Sequence, residues 1–336
     1  MQMRTHETGG AERRGRDIMT TRGGNRRGTR LVRWVVGRGA MVALLLSLMP
    51  RGVVAVAATA QGVVATIAVG NDPYGVAVDP TADRAYVTNE NDNSVSMIDT
   101  SRDTVIATIT VRNGPVSVAV NPAIHRAYVT NESDRSVSVI DTSSDIVVAT
   151  IPVGNSPFSI AVDPVTGRAY TANVVSNTVS VIDTGRNIVV GAIDVGDGPA
   201  GVVVNQAARR AYVTNYQSNT VSVIDTGSNT VVDEIALDAL SNGIAIDPAT
   251  DRAYISNQDD NSVWVIDTRS DTVVATIGVG VTPGGIAVNP AAHRAYVANE
   301  NGSGGDSGSV SVLDISRNAD LDARRHASRR RAETPR

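Results

Sequence analysis

Carboxylates recur at fixed places along this chain. Asp79, Asp163 and Asp247 stand 84 residues apart, each directly before a proline. Three carboxylates around one axis could hold a hard divalent cation such as calcium or magnesium, which takes oxygen ligands. The same position is Asn121, Asn205 and Asn289 in the intervening units, and Asx before proline is also the opening of a type I turn. Turn formation with no cofactor is therefore the expectation, and a channel ring of Asp79, Asp163 and Asp247 around a divalent cation is the alternative. A second series, Asp99, Asp141, Asp183, Asp225, Asp267 and Asp314, has no member set apart from the rest. Each is expected to accept hydrogen bonds from the turn after it. No catalytic residue is assigned.

Other chemistries are narrowed by composition. Without cysteine there is no thiolate nucleophile, thiolate metal site or disulfide. All 30 basic residues are arginine, which removes Schiff-base and phosphate-loop lysine chemistry. Two of the four histidines, His125 and His293, share one place in non-adjacent repeats and are expected to be exposed turn residues; His6 and His326 lie outside the repeats. Gly-x-Ser-x-Gly, His-Glu-x-x-His and phosphate-loop patterns are absent.

Binding residues on a rigid scaffold concentrate in its loops. The most variable loops read ENDN (90–93), ESDR (132–135), VVSN (174–177), YQSN (216–219), QDDN (258–261) and ENGSGGDSG (300–308). Their candidate binding face comprises Glu90, Asp92, Glu132, Asp134, Tyr216, Asp259, Asp260, Glu300 and Asp306. Neighbouring loops add Asp72, Tyr74, Phe158 and Asp197 to the same face. The longer sixth loop is taken as its centre, and a basic or cation-bridged partner is favoured. A merely solvated acidic face is the alternative.

These residues are positioned by repetition. Tyr86, Tyr128, Tyr170, Tyr212, Tyr254 and Tyr296 are each 42 residues apart, always after Arg-Ala. Each unit holds four short β-type runs; in the first they are 75–79, 84–89, 94–99 and 104–109. Four strands in about 40–45 residues is the period of a propeller blade. The fold class expected is all-β: a β-propeller of six four-stranded blades. The last repeat stops after its third run, and residues 63–69 (VVATIAV) read as a fourth run with no blade before it. Pairing the two is expected to close the ring.

Charge divides the chain in three. Residues 1–62 carry a net +8, residues 63–318 a net −15 and residues 319–336 a net +3. An acidic body argues against a nucleic-acid-binding surface. Arginines up to Arg38 precede an apolar run at 39–50, and Ala58-Thr59-Ala60 before Gln61 fits a cleavage site, with Ala55-Val56-Ala57 as a second option. Residues 1–60 are thus expected to be an export signal, leaving no transmembrane domain, although a start at Met19 or Met41, a twin-arginine signal at Arg26-Arg27 and a retained anchor stay open. Residues 61–318 are the propeller, and 319–336 a basic disordered tail able to touch anionic envelope polymers.

The motif Tyr86-Val87-Thr88-Asn89, repeated at 128–131 and 212–215 and loosened to YTAN, YISN and YVAN elsewhere, resembles the YVTN family of β-propeller repeat proteins. The SVSVIDT-type stretch that follows is similar to that family too, and the resemblance covers about residues 63–315. It implies an exported or cell-surface propeller of bacteria or archaea, without implying a reaction. Many members are similar to seven-bladed rings, and six repeats depart from that number. The expected function is noncatalytic binding of a protein or glycan, extracellular, periplasmic or at the cell surface, with a protein or cell-envelope polymer as partner. The alternative is a propeller-housed hydrolase or lyase, lactonase-like, using channel carboxylates and a divalent cation.

Overall fold

The computed structural model describes residues 65–237, 241–300 and 308–316. The expected export signal (1–60) and basic tail (319–336) lie outside the described residues. Within them the chain forms six antiparallel sheets, five of four strands and a last one of three, each built from consecutive strands. This is a six-bladed β-propeller. Blade 1 consists of Pro73–Asp79, Arg84–Asn89, Ser94–Asp99 and Thr104–Thr110. Blades 2 to 6 follow in the same frame, with first strands at Pro115–Asn121, Pro157–Asp163, Pro199–Asn205, Ser241–Asp247 and Pro283–Asn289. Proline is tolerated at these openings because the first residue of a strand need not donate to the ladder. No helix among the described residues is long and apolar enough to cross a membrane.

Burial follows position within the blade. The third strand of blade 2, Ser136–Asp141, is buried along nearly its whole length, because neighbouring blades cover both faces. The outermost strand, Ile146–Pro152, alternates between exposed and covered side chains, as a period of two requires on the rim. The apolar clusters lie between blades. Tyr86, Val95, Met97 and Ile109 of blade 1 pack on Val118, Ala127, Val129 and Ile140 of blade 2, and the next four junctions repeat the arrangement.

Three residues of the Tyr-Val-Thr-Asn strand have separate tasks. In blades 2 to 4 the buried tyrosine reaches the turn after the third strand of the next blade: Tyr128 donates to the Thr184 carbonyl at 3.3 Å, Tyr170 to the Thr226 carbonyl at 3.4 Å, and Tyr212 to the Thr268 carbonyl at 3.1 Å and Asp271 Oδ1 at 2.9 Å. The threonine joins first strands. Thr130 Oγ1 accepts from the Ser117 amide at 3.0 Å and donates to the Phe158 carbonyl of the next blade at 3.0 Å. The asparagine ties its own blade, Asn131 Nδ2 donating to Ser136 Oγ at 3.1 Å and Ser138 Oγ at 3.0 Å. In blade 5 Trp264 replaces the second serine, and Asn257 instead accepts from the Asp259 and Asp260 amides at 3.1 and 3.2 Å.

The conserved-looking ionic groups turn out to be structural. Arg126, Arg168 and Arg252 pair with the third-strand aspartates Asp141, Asp183 and Asp267 of their own blades at 2.7, 3.2 and 3.1 Å, and Arg210 pairs likewise with Asp225. The same aspartates accept amide hydrogen bonds from the following turn, as expected; Asp141 receives Ser143 at 2.9 Å and Ser144 at 3.1 Å. The Ser101 hydroxyl and the Arg102 guanidinium hold the Asp99 carboxyl down at about 2. His125 and His293 are exposed and close short 3-10 turns with left-handed φ of 51° and 50°.

The junction between blades 6 and 1 differs from the others. Val76 and Val78 on the first strand of blade 1 are 66% and 57% exposed, whereas Val118 and Val202 are buried. Ala298 stands in blade 6 where Thr88 and Thr130 supply the hydroxyl bridge in blades 1 and 2. The closing strand expected from residues 63–69 is not formed in its described part. Residues 65–69 join no sheet, and among the described residues Ser309–Asp314 pairs with Arg294–Asn299 alone. Residues 70–71 are drawn instead to blade 1, where the Gly70 amide donates to Asn89 Oδ1 at 3.0 Å and the Asn71 amide to Asp92 Oδ2 at 2.7 Å.

Tyr212→Phe leaves a buried carbonyl and carboxylate without their shared donor, and is expected to lower the unfolding free energy by about 1–3 kcal/mol in urea denaturation. The same change at Tyr296, half-exposed in blade 6, is expected to stay within about 0.5 kcal/mol.

Candidate binding site at the channel mouth

The innermost strands bring equivalent positions of all six repeats around one axis. Their second residues are Tyr74, Val116, Phe158, Ala200, Asn242 and Gly284, and their third are Gly75, Ser117, Ser159, Gly201, Gly243 and Gly285. Close approach requires glycine at two places in that second ring: a Cβ on Gly75 would lie 2.5 Å from the Val116 carbonyl oxygen, and one on Gly243 2.4 Å from that of Gly284. The result is a central cavity of about 540 Å³, walled by glycine, serine and aliphatic side chains. At its mouth Tyr74 reaches across to Phe158, ring centroids 5.6 Å apart and planes at 79°, an edge-to-face pair.

In five of the six blades the first residue of the loop after the Tyr-Val-Thr-Asn strand is set at this mouth by one backbone bond. The amides of Glu90, Glu132, Val174, Tyr216 and Glu300 donate to the carbonyls of Asp72, Gly114, Ser156, Gly198 and Thr282 at 2.7–3.0 Å. Identical backbones thus carry unlike side chains. Glu300, Glu90 and Glu132 follow one another through blades 6, 1 and 2, and Val174 and Tyr216 occupy blades 3 and 4. A side pocket of about 240 Å³ opens on that apolar half, lined by Glu132, Phe158, Val174, Gly198, Ala200, Tyr216 and Gln217.

The carboxylates act on one another. Burial, with Asp72 and Glu132 nearby, pushes the Glu90 carboxyl above its ordinary value. Burial and the surrounding Glu300, Glu90, Glu132 and Asp72 push the Tyr74 phenol up as well. The described mouth loops carry Arg112 and Arg135 against nine acids.

Of the residues expected on the binding face, Glu132, Tyr216 and Glu300 line the two cavities, and Glu90 stands close to them. Asp92 and Asp134 serve the scaffold: Asp92 accepts from the Asn71 amide and Nδ2 at 2.7 and 2.8 Å, and Asp134 from Asn113 Nδ2 at 3.1 Å. Asp259 and Asp260 are held by the Asn257 cap. Asp306, with most of the long sixth loop, lies outside the described residues. The glycine and serine ring was not singled out from sequence, nor were Val174 and Gln217; its signal was a small residue at one fixed place in every repeat.

Asp79, Asp163 and Asp247 lie at the other end of the first strands, each buried in its own turn. Thr81 Oγ1 donates to Asp79 at 2.7 Å, Thr166 Oγ1 to Asp163 at 2.7 Å and Thr250 Oγ1 to Asp247 at 2.8 Å. No group of three or more acids and histidines among the described residues is gathered to hold a metal ion.

No family model matches the chain, and no curated protein does. Among solved structures it is similar to hydrazine synthase of Kuenenia stuttgartiensis, at 21% identity and a TM-score of 0.52, over 74% of this chain and 97% of that one. It is also similar to a functionally unknown protein from Desulfotomaculum acetoxidans, at 19% identity and a TM-score of 0.56, over 63% of this chain and 73% of that one. At such identities the likeness is one of fold alone.

Because Glu90 is harder to ionise in the folded protein than in the unfolded chain, its penalty is absent below the unfolded carboxylate pKa and grows as pH rises through the folded one. Glu90→Gln is therefore expected to melt higher than the parent at pH 7, with the difference vanishing below about pH 4.

On this evidence the chain is a six-bladed β-propeller with a cavity at one end of its axis.

Proposed function

We propose that the chain is an exported YVTN-repeat propeller that binds a protein or cell-envelope polymer at its channel mouth without transforming it. The observation that carries this reading is the mouth itself. Two neighbouring cavities, lined by the Tyr74–Phe158 pair and by Tyr216, open among loops whose backbones repeat while their side chains do not. Ligand sites are concave and mostly apolar with a few placed polar groups, and the side pocket has that composition. The motif resemblance and the basic, apolar, A-x-A order of residues 1–60 support export.

The second reading, a lactonase-like hydrolase or lyase assisted by a divalent cation, has one observation in its favour. A carboxyl raised by burial beside other carboxylates, as Glu90 is, suits a general acid.

Both readings are tested by presenting the protein with purified envelope proteins, a glycan array, and lactone and polysaccharide substrates with and without calcium or magnesium. Saturable binding that weakens at least about tenfold in Tyr74→Val with Glu300→Gln, with no turnover, is the expected result. Reproducible turnover lost in Glu90→Gln would overturn it.

A further inference from the structure

Phe158 and Ala200 line both the central channel and the side pocket, and so form the wall the two share. The side pocket is walled by Phe158, Val174, Ala200 and Tyr216, with the Glu132 carboxylate and the Gln217 amide at its polar edge. Two aromatic rings, an aliphatic wall and a single carboxylate select one kind of guest. The carboxylate attracts positive charge, the ring faces attract it further, and the aliphatic carbon favours carbon over water. A hydrated metal ion gains nothing from Val174 and Ala200, and an anion meets Glu132.

Resting on the binding reading above, we propose that this pocket takes an organic cation, an ammonium or guanidinium group carried on carbon, seated against Phe158 and Tyr216 and paired with Glu132. Glu132 is already oriented for it: Ser156 Oγ donates to Glu132 Oε1 at 2.6 Å, leaving Oε2 free of that bond. No arginine lines either cavity, so no cation of the described chain competes for the place. The carboxylates of Asp72, Glu90, Glu132 and Glu300, which add to the effect of burial on Tyr74, extend the attraction beyond contact and draw a cation toward the mouth before it is bound. A volume of about 240 Å³ suits a charged head group better than a sugar chain. The group could be a free alkylamine or the end of an arginine or lysine side chain on a partner protein.

The test is calorimetric titration of the full chain with butyltrimethylammonium, butylguanidinium, the neutral isostere 3,3-dimethylbutanol and the peptide Ala-Arg-Ala-Arg-Ala. The cations are expected to bind at least about tenfold more tightly than the alcohol, and Glu132→Gln or Tyr216→Ala to remove about that factor. Gln217→Glu, at an exposed position, is expected to tighten binding. The peptide binding more tightly than butylguanidinium identifies a partner's side chain as the source; equal affinity identifies the free amine. The alcohol binding as well as the cations, or cation binding unchanged in Glu132→Gln, would overturn the proposal. A glycan or protein bound at the mouth while every cation fails would overturn it too, and leave the binding reading standing.

Discussion

Buried hydroxyl groups that cross from one blade to the next are the constraint on which this propeller depends. Apolar packing alone would let flat sheets slide, since valine on valine has no preferred register at the scale of one residue. The phenol of Tyr212 and the hydroxyl of Thr130 do fix a register, because each must meet a carbonyl of the following blade within 3.1 Å. Inside a dry interface an unmet partner is expensive, so the bond acts more through the penalty for misplacement than through its own strength. Where the hydroxyl is missing the junction changes. Blade 3 has Ala172 in place of threonine, and there Ser159 Oγ accepts from the Val202 amide of blade 4 at 3.2 Å. Blade 6 has Ala298, and its junction to blade 1 leaves Val76 and Val78 largely exposed.

Much of this was legible in the sequence because the repeat is a physical unit. A period of 42 with four alternating runs names a blade, and Arg-Ala-Tyr at a constant offset marks the same strand each time. The Asx turns were readable for the same reason, as the chemistry of Asp99 or Asp163 is completed by the residues directly after it. Closure was less legible. Residues 63–69 match the fourth-strand pattern, but pairing them with Ser309–Asp314 depends on contacts across the whole length of the chain, which local pattern does not fix.

The site was half legible. Charge and loop variability pointed to Glu90, Glu132 and Glu300, yet gave equal weight to Asp92 and Asp134, which are consumed in tying two loops of one face together. No pattern in the sequence separates a carboxylate that faces the axis from one two residues later that faces a neighbouring loop; the backbone bond at Glu90 and its equivalents makes that distinction. The role of Phe158 was likewise hidden, since an aromatic residue at the start of an inner strand becomes a shared wall only when the other blades surround it.

The division of labour between scaffold and mouth is tested most directly by giving the mouth the side chains that other blades already carry. Tyr74→Val and Phe158→Ala copy Val116 and Ala200, and Glu132→Val and Tyr216→Val copy Val174. The measurement is the thermal unfolding midpoint of the fourfold variant. A midpoint within a few degrees of the parent is expected, since among the described residues these four side chains link blades only through the Ser156–Glu132 hydrogen bond and the one edge-to-face pair of Tyr74 with Phe158. A fall of about 10 °C or more would show that the mouth residues hold the ring together, and would contradict the assignment of stability to the buried hydroxyls and of binding to the mouth.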